Sequence, residues 1–138
     1  MKAVRMLFVD DDNVNLFLIS RTISELTNKE NSSLLLKPEM QLAANTDIIA
    51  DFCEGALSAL ETTDPLSYDV IFTDDNMPGI TGMSFISILN AVGYQNKIFL
   101  LTSSVAIKWE LPSNVELLSK PLELATLIQI INNIAGSA

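Results

Sequence analysis

Residues 69–82 read DVIFTDDNMPGITG, and this stretch decides the fold class. Its first part, Asp69–Thr73, is a short and mostly apolar run of the kind that forms buried parallel strands. Asp74 follows the run directly, and residues 76–79 (Asn-Met-Pro-Gly) are ordinary turn residues. In open parallel sheets, functional groups lie at the carboxyl ends of the strands. The stretch therefore predicts a buried strand that carries Asp74 into a site.

The same pattern, an apolar run that ends in polar residues, occurs three more times along the chain. Asp10-Asp11-Asp12 follows residues 6–9, Thr102-Ser103 follows residues 98–101, and Lys120-Pro121 follows residues 115–119. If these runs are neighbouring parallel strands, their ends meet at one edge of the sheet. The sequence therefore predicts one pocket that contains three carboxylates, a hydroxyl and an ammonium group.

This set of groups suits a divalent cation and a phosphoryl group. Mg²⁺ prefers oxygen ligands, and Asp10 or Asp11 together with Asp74 would supply them. A carboxylate can also attack phosphorus to give an aspartyl phosphate. Lys120 would pair with one phosphoryl oxygen and Thr102 would donate its hydroxyl to another, which neutralises the transferred charge.

Predicted strands alternate with helical patterns, which indicates an α/β fold with a parallel sheet. The predicted strands are about Val4–Val9, Met40–Ala44, Asp69–Thr73, Lys97–Leu101 and Val115–Leu118. The predicted helices are about Asn13–Leu26, Asp47–Glu61, Gly82–Val92 and Leu122–Ile134, with a short candidate within Ser104–Ser113.

Composition excludes several classes of function. The 138 residues fit one domain, 1–138, and contain one cysteine and no histidine, so imidazole catalysis and Cys-rich zinc sites are excluded. The net charge is −9 with no clustered basic patch, which argues against nucleic-acid binding. No apolar stretch approaches the roughly 18 residues of a membrane helix, and no signal peptide is recognisable. We expect a cytoplasmic protein.

Four motifs together resemble the response-regulator receiver domains of two-component signalling, over nearly the whole chain from Met6. They are VDDDNVN (9–15), DVIFTDDNMPGITG (69–82), IFLLTSS (98–104) and LLSKPLEL (117–124). The resemblance implies a flavodoxin-like, doubly wound five-stranded parallel sheet of order 2-1-3-4-5 with about five helices. The fourth helix is expected to be short or irregular, because the spacing from Thr102 to Lys120 is shorter than usual.

The resemblance also implies a role for each site residue. Asp74 matches the phosphoacceptor, Thr102 the switch hydroxyl and Lys120 the lysine that pairs with the acyl phosphate. The metal ligands for Mg²⁺ (or Mn²⁺) would be Asp10, Asp11, Asp74 and the backbone carbonyl of Asn76. Pro121 matches a proline whose preceding peptide is often cis. Asp12 is expected to cap a helix, and Asp75 to be exposed and only to tune local charge.

The implied function is to accept a phosphoryl group on Asp74, in a Mg²⁺-dependent reaction, from a histidine kinase or a histidine phosphotransfer protein. Output would come through an unknown downstream protein or a phosphorelay. Such a domain is not an enzyme beyond catalysing its own phosphoryl transfer and dephosphorylation. We expect a monomer or a weak homodimer, in which Leu122 and Ile130 leave an apolar strip exposed. We expect no nucleic-acid or membrane partner.

Two alternatives stay open. The family usually has an aromatic residue two or three positions before the lysine, where this chain has Leu117 and Leu118, so a pseudo-receiver that binds partners without phosphorylation is one alternative. Residues 10–14 also resemble the Asp-x-Asp-x-Val motif of haloacid-dehalogenase-type phosphatases, in which Asp10 would be the nucleophile. In that family the later acidic pair follows the Thr and Lys, whereas here Asp74-Asp75 precedes them.

Overall fold

The computed structural model describes residues 2–27, 41–43, 46–103 and 110–136. Within these residues, five parallel strands form one sheet in the order β2-β1-β3-β4-β5, as the resemblance implied. The strands are β1 (Lys2–Val9), β2 (Thr46–Cys53), β3 (Val70–Asp74), β4 (Lys97–Thr102) and β5 (Val115–Ser119).

Four α-helices connect or follow these strands in the described part of the chain. They are α1 (Asn13–Thr27), α2 (Ala56–Thr62), α3 (Gly82–Ala91) and α4 (Leu124–Gly136). A 3₁₀ turn, Pro65–Ser67, leads into β3. Of the short helix predicted within residues 104–113, residues 104–109 lie outside the described residues, and residues 110–113 are not helical.

The helices cover both faces of the sheet because successive strand residues point to opposite sides. Met6 and Phe8 of β1 pack into one apolar cluster together with the buried faces of α1 and α4. Leu7 and Val9 pack into a second cluster, which contains residues of α2 and α3. All five residues of β3 are buried, as expected for a central strand that is covered on both sides.

A ladder of phenylalanine rings crosses the sheet on the α1/α4 side and fixes the strand register. Phe8 stacks on Phe72 with ring centroids 4.6 Å apart and on Phe52 at 5.3 Å, and Phe72 stacks on Phe99 at 5.3 Å. Each stacked pair consists of residues that face each other in the ladder of adjacent strands. Because a one-residue slip would move a ring to the opposite face, this ladder helps to align the strand ends that form the site.

The predicted positions of the second strand and the second helix are wrong. The sequence pattern predicted one helix over residues 47–61. In the structure, β2 occupies Thr46–Cys53 and α2 begins only at Ala56. Gly55, with φ 119°, separates the two elements. The second strand was predicted at residues 40–44, but residues 41–43 are not strand, and residues 40 and 44 lie outside the described residues. The side chain of Asn132 hydrogen-bonds to the backbone of Gln41 and Ala43.

The physical reason for this error is that residues 47–53 satisfy two periodicities. Apolar residues at 48, 49, 52 and 53 match the helical spacing, but Ile48, Ala50 and Phe52 also alternate with more exposed residues at 47, 49 and 51. The segment forms a strand because all eight residues of β2 pair with residues of β1.

Two further expectations concern surfaces. The apolar strip expected from Leu122 and Ile130 is wrong, because Ile130 is buried in the core and Leu122 packs against it. The lone Trp109, which could pack on its own domain or contact a partner, lies outside the described residues. In the part of the chain that the structure describes, no helix has the length and apolarity needed to cross a membrane.

Candidate functional site

The carboxyl ends of four strands place the predicted site residues at one edge of the sheet. Asp10 follows β1, Asp74 is the last residue of β3, Thr102 is the last residue of β4, and Lys120 follows β5. Asp10 and Asp74 are each only 3% exposed, and Thr102 is fully buried, whereas Asp11 is exposed. The sequence therefore brings two buried carboxylates and a buried hydroxyl to the edge where ligands bind in this class of sheet.

Asp10, Asp11 and Asp74 form a cluster in which one oxygen of each carboxylate lies within 4.8 Å of the others. Such a cluster is costly without a counter-charge, because two of its members are removed from water. Its donors are all hard oxygen atoms, which fits Mg²⁺. Asn76, predicted to contribute a backbone carbonyl, has an exposed side chain at the start of the following loop.

The carboxylate of Asp10 is held in place from α1. Its Oδ1 accepts a hydrogen bond from the backbone N–H of Asp12 at 2.9 Å, and its Oδ2 accepts one from the side chain of Asn15. Asp12 itself caps α1, since its Oδ1 accepts from the N–H of Val14 at 2.9 Å, as predicted. The contact of Asn15 with Asp10 was not predicted from the sequence. The spacing could have revealed it, because Asn15 lies five residues after Asp10 and the first turn of α1 brings its side chain back to the end of β1.

Lys120 forms an ion pair with Oδ1 of Asp74. Its backbone is fixed by a hydrogen bond from Lys120 N to Thr102 O at 3.0 Å. The peptide bond between Lys120 and Pro121 is cis, as the resemblance suggested. The second hydrogen bond to Oδ1 of Asp74 comes from the N–H of Asp75 at 2.9 Å. The nucleophile predicted from the sequence is therefore bound by a cation and an amide on the same oxygen.

The charges of this cluster shift two pKa values. Burial raises the pKa of Asp74, the contact with Lys120 opposes this effect, and the negative charge of Asp10 adds to it, so that the pKa lies above its ordinary value. Burial alone would lower the pKa of Lys120, but its hydrogen bond and charge interaction with Asp74 raise it, so that the ammonium stays protonated. The site therefore combines a buried carboxylate, whose charged form is energetically unfavourable, with a lysine that stays charged.

Thr102 donates its hydroxyl to Oδ2 of Asp75 at 2.6 Å. The expectation that Asp75 is exposed and only tunes local charge is wrong, because its side chain is half-buried and accepts this bond. The contact could not be inferred from the sequence, because Asp75 follows the strand and precedes the turn at residues 76–79, whereas in the fold its N–H still bonds to Leu101 O, on the neighbouring strand β4.

The loop from β3 to α3 depends on Gly82. A Cβ at this position would lie 2.8 Å from Cα of Asp75 and from Cδ1 of Leu100, and closer still to the carbonyl oxygen of Asp74. The N–H of Gly82 donates to Asp75 O at 3.2 Å, and Thr81 caps α3 through Ser84 N. The absence of a side chain thus lets the start of α3 press directly onto the strand end that carries Asp74.

Comparison of the sequence with known protein families gives one match that covers most of the chain. The sequence model described as "Response regulator receiver domain" matches residues 29–132, a range that includes Asp74, Thr102 and Lys120 and begins after Asp10 and Asp11. No curated protein matches the chain significantly.

Solved structures with the same fold include several receiver domains. A CheY-like receiver from Methylobacillus flagellatus is 19% identical, with a TM-score of 0.70 and coverage of 96% of this chain and 99% of that one. The receiver of a sensor histidine kinase from Pseudomonas aeruginosa, described with magnesium in its active-site cleft, is 20% identical, with a TM-score of 0.69 and coverage of 97% and 98%. A receiver from Clostridium thermocellum is 19% identical, with a TM-score of 0.65 and coverage of 97% and 95%. With three quarters of its length matched by the family model, the chain belongs to the response regulator receiver domains of two-component systems.

Proposed function

We propose that this receiver accepts a phosphoryl group on Asp74. The observation that supports this most directly is the ion pair of Lys120 with the buried carboxylate of Asp74, beside Asp10 and Asp11. Oδ1 of Asp74 is bound by Lys120 and by the N–H of Asp75, while Oδ2 has no donor among the described residues. We therefore assign Oδ2 as the attacking oxygen.

The step is a displacement at phosphorus. Oδ2 of Asp74 forms a new bond to the phosphorus of a phosphohistidine, the phosphorus–nitrogen bond breaks, and the departing imidazole takes up a proton. Lys120 neutralises charge on the phosphoryl oxygens, so the chain contributes positioning and electrostatics rather than acid–base catalysis. Asp10, Asp11 and Asp74, with the backbone carbonyl of Asn76, would hold Mg²⁺. When bound, that ion offsets the negative charge of both the carboxylates and the phosphoryl group.

The donor would be a histidine kinase or a histidine phosphotransfer protein that docks beside α1. Val14, Phe17 and Leu18 are 66%, 58% and 55% exposed and lie in the first half of α1, directly after the acidic cluster. Leu18 also borders a small groove of about 70 Å³ that reaches Pro121, next to Lys120. An exposed apolar surface that adjoins a reactive group suits a partner that must approach that group closely.

Mass spectrometry after incubation with acetyl phosphate tests the proposal. We expect a phosphoryl adduct on the wild type that needs Mg²⁺ and maps to Asp74, and no adduct on Asp74→Asn. Asp12→Asn is the matched control, because it removes a charge from the same acidic run while an asparagine still caps α1. It should be labelled like the wild type.

Other results would point to the alternatives. A folded wild type that acquires no adduct and binds no beryllofluoride would favour a pseudo-receiver that acts by binding alone. An adduct on Asp10 would favour the phosphatase-type chemistry instead.

A further inference from the structure

The hydroxyl of Thr102 is bonded to Asp75, the residue that follows Asp74. Its Oγ1 donates to Oδ2 of Asp75 at 2.6 Å, and Thr102 is fully buried. A hydroxyl that donates to a carboxylate forms a charge-assisted hydrogen bond, which is stronger than a bond between neutral groups. Any role for this hydroxyl toward Asp74 must therefore begin by breaking a strong bond.

Strand geometry explains the pairing. Along β4, Ile98 and Leu100 belong to the cluster on the α2/α3 side, and alternation places Thr102 on the same side. Asp74 faces Leu101 in the ladder, so Asp75, the next residue, lies beside Thr102. The two side chains meet because they occupy paired positions on one face, one step beyond the last ladder pair.

The backbone of Asp75 is fixed, so its carboxylate is a defined acceptor. Its N–H donates to Leu101 O at 3.2 Å and to Oδ1 of Asp74 at 2.9 Å, and its carbonyl oxygen accepts from the N–H of Gly82 at 3.2 Å. The side chain is half-buried, so water can reach it if Thr102 turns away. Asp75 can therefore lose the bond without leaving a carboxylate that is buried and unsatisfied.

We infer that Asp75 is a positioning residue, which holds the Thr102 hydroxyl away from the phosphoryl position and so opposes the phosphorylated arrangement. A threonine hydroxyl has one proton, so it can donate either to Asp75 or to a phosphoryl oxygen on Asp74, but not to both. Each phosphorylation event must then exchange one charge-assisted bond for another. This inference rests on the proposed function, because it concerns competition with the phosphoryl group.

Beryllofluoride, a mimic of the phosphoryl group, measures this competition. With Mg²⁺ present, removal of the competing acceptor in Asp75→Ala should strengthen beryllofluoride binding on the order of tenfold, the effect of about one charge-assisted hydrogen bond. Asp75→Asn, which retains a weaker neutral acceptor, should lie between the wild type and Asp75→Ala. Asp12→Asn, which removes the charge of the residue that caps α1, should bind like the wild type.

A double-mutant cycle separates this mechanism from simple removal of negative charge. In a Thr102→Val background the hydroxyl is gone, so Asp75→Ala should no longer strengthen binding. In a Thr102→Ser background the hydroxyl is restored, and the gain should return. An equal gain from Asp75→Ala in the wild type and in Thr102→Val would overturn the inference, because the effect would then be electrostatic and independent of Thr102.

The remaining outcomes distinguish this inference from the proposed function. If the wild type binds beryllofluoride and is labelled on Asp74, but Asp75→Ala changes neither, the inference fails and the proposed function stands. If the folded wild type neither binds beryllofluoride nor is labelled, the proposed function fails, and the inference fails with it. Thermal unfolding of each variant verifies that it is folded.

Discussion

Lys120 pairs with Asp74 across the end of β4, so the ion pair joins β3 and β5, two strands that are not neighbours in the sheet. The contact with Lys120 offsets only part of the free-energy cost of burying the charged carboxylate of Asp74. Burial and the charge of Asp10 outweigh it, and the pKa of Asp74 stays raised. In the absence of metal, the charged form of Asp74 therefore destabilises the fold at neutral pH.

Asp74→Asn should consequently be more stable than the wild type in the absence of metal. The substitution removes the buried negative charge, and the amide oxygen can still accept a hydrogen bond from Lys120. We expect a rise in melting temperature of roughly 2–5 °C, which corresponds to about 1 kcal/mol in a domain of this size. Differential scanning calorimetry in a chelating buffer measures it.

The control for this substitution is Asp12→Asn, which should leave the melting temperature within about 1 °C of the wild type, since Asn and Asp are comparable caps. A loss of stability in Asp74→Asn would contradict the argument. It would mean that the ion pair with Lys120 outweighs burial and repulsion from Asp10.

The pH dependence of stability has a defined sign. Because the pKa of Asp74 is higher in the folded state than in the unfolded chain, the folded state binds this proton more tightly. The contribution of the group is therefore most favourable below the ordinary carboxyl pKa and declines as pH rises through the raised pKa of Asp74. Urea unfolding without metal, at a series of pH values, should show that the advantage of Asp74→Asn over the wild type grows across this window and then stays constant. An advantage that shrinks as pH rises would contradict the prediction.

Most of the sheet was predictable because its strands carry one unambiguous signal each. The apolar run that ends at Asp74 is short and bounded by turn residues, which favours a buried strand over a helix. Strand β2 was not predictable in the same way, because it is an edge strand and its residues satisfy a helical and an alternating period at once. The segment forms a strand because it pairs with β1. The paired residues are about 44 positions apart in the sequence, so the local sequence pattern cannot reveal this contact.

The placement of the site was predictable for a similar reason. Parallel strands that end in polar residues must bring those residues to one edge, so Asp10, Asp74 and Lys120 converge without any knowledge of side-chain geometry. The partner of Thr102 was not predictable. Whether its hydroxyl meets Asp74 or Asp75 depends on strand register and on the face to which Thr102 points, and both are properties of the folded sheet.

Added Mg²⁺ should stabilise the wild type, because a ligand that binds the folded state alone raises stability by mass action. At a concentration about 100 times the dissociation constant, the expected gain is about 2.7 kcal/mol. Asp10→Asn should lose most of this gain, since it removes one of the two buried carboxylates of the cluster. Thermal shift with increasing MgCl₂ measures the effect, and Asp12→Asn should respond like the wild type. An undiminished response in Asp10→Asn would place the ion elsewhere.

Gly82→Ala should destabilise the protein even though alanine is the better helix former. The new Cβ would lie 2.8 Å from Cα of Asp75 and would also approach the backbone of Asp74, and neither group can move without shifting the strand end. We expect a loss of about 1–3 kcal/mol, as for other overpacked sites. Chemical denaturation measures it. Gly136→Ala is the matched control, because Gly136 ends α4 with no atom within 4 Å of the added Cβ. It should be neutral or mildly stabilising, and equal effects at both positions would contradict the packing argument.

Phe17→Ala should separate the two routes by which Asp74 could be phosphorylated. Phe17 is exposed on α1 and does not belong to the buried core, so its removal should leave the fold and labelling by acetyl phosphate unchanged. Labelling by a phosphorylated histidine phosphotransfer protein should slow by roughly tenfold, as for an aromatic residue at the centre of an interface.

Leu57→Ala is the control for Phe17→Ala, because Leu57 is equally exposed but lies on α2, which packs on the opposite face of the sheet from α1. A protein partner that docks on α1 must distinguish these two substitutions, whereas a small phosphodonor cannot. Equal transfer rates for both variants would exclude the exposed face of α1 as the docking surface. If Phe17→Ala also slowed labelling by acetyl phosphate, the residue would act on the chemistry at Asp74 and not on partner binding.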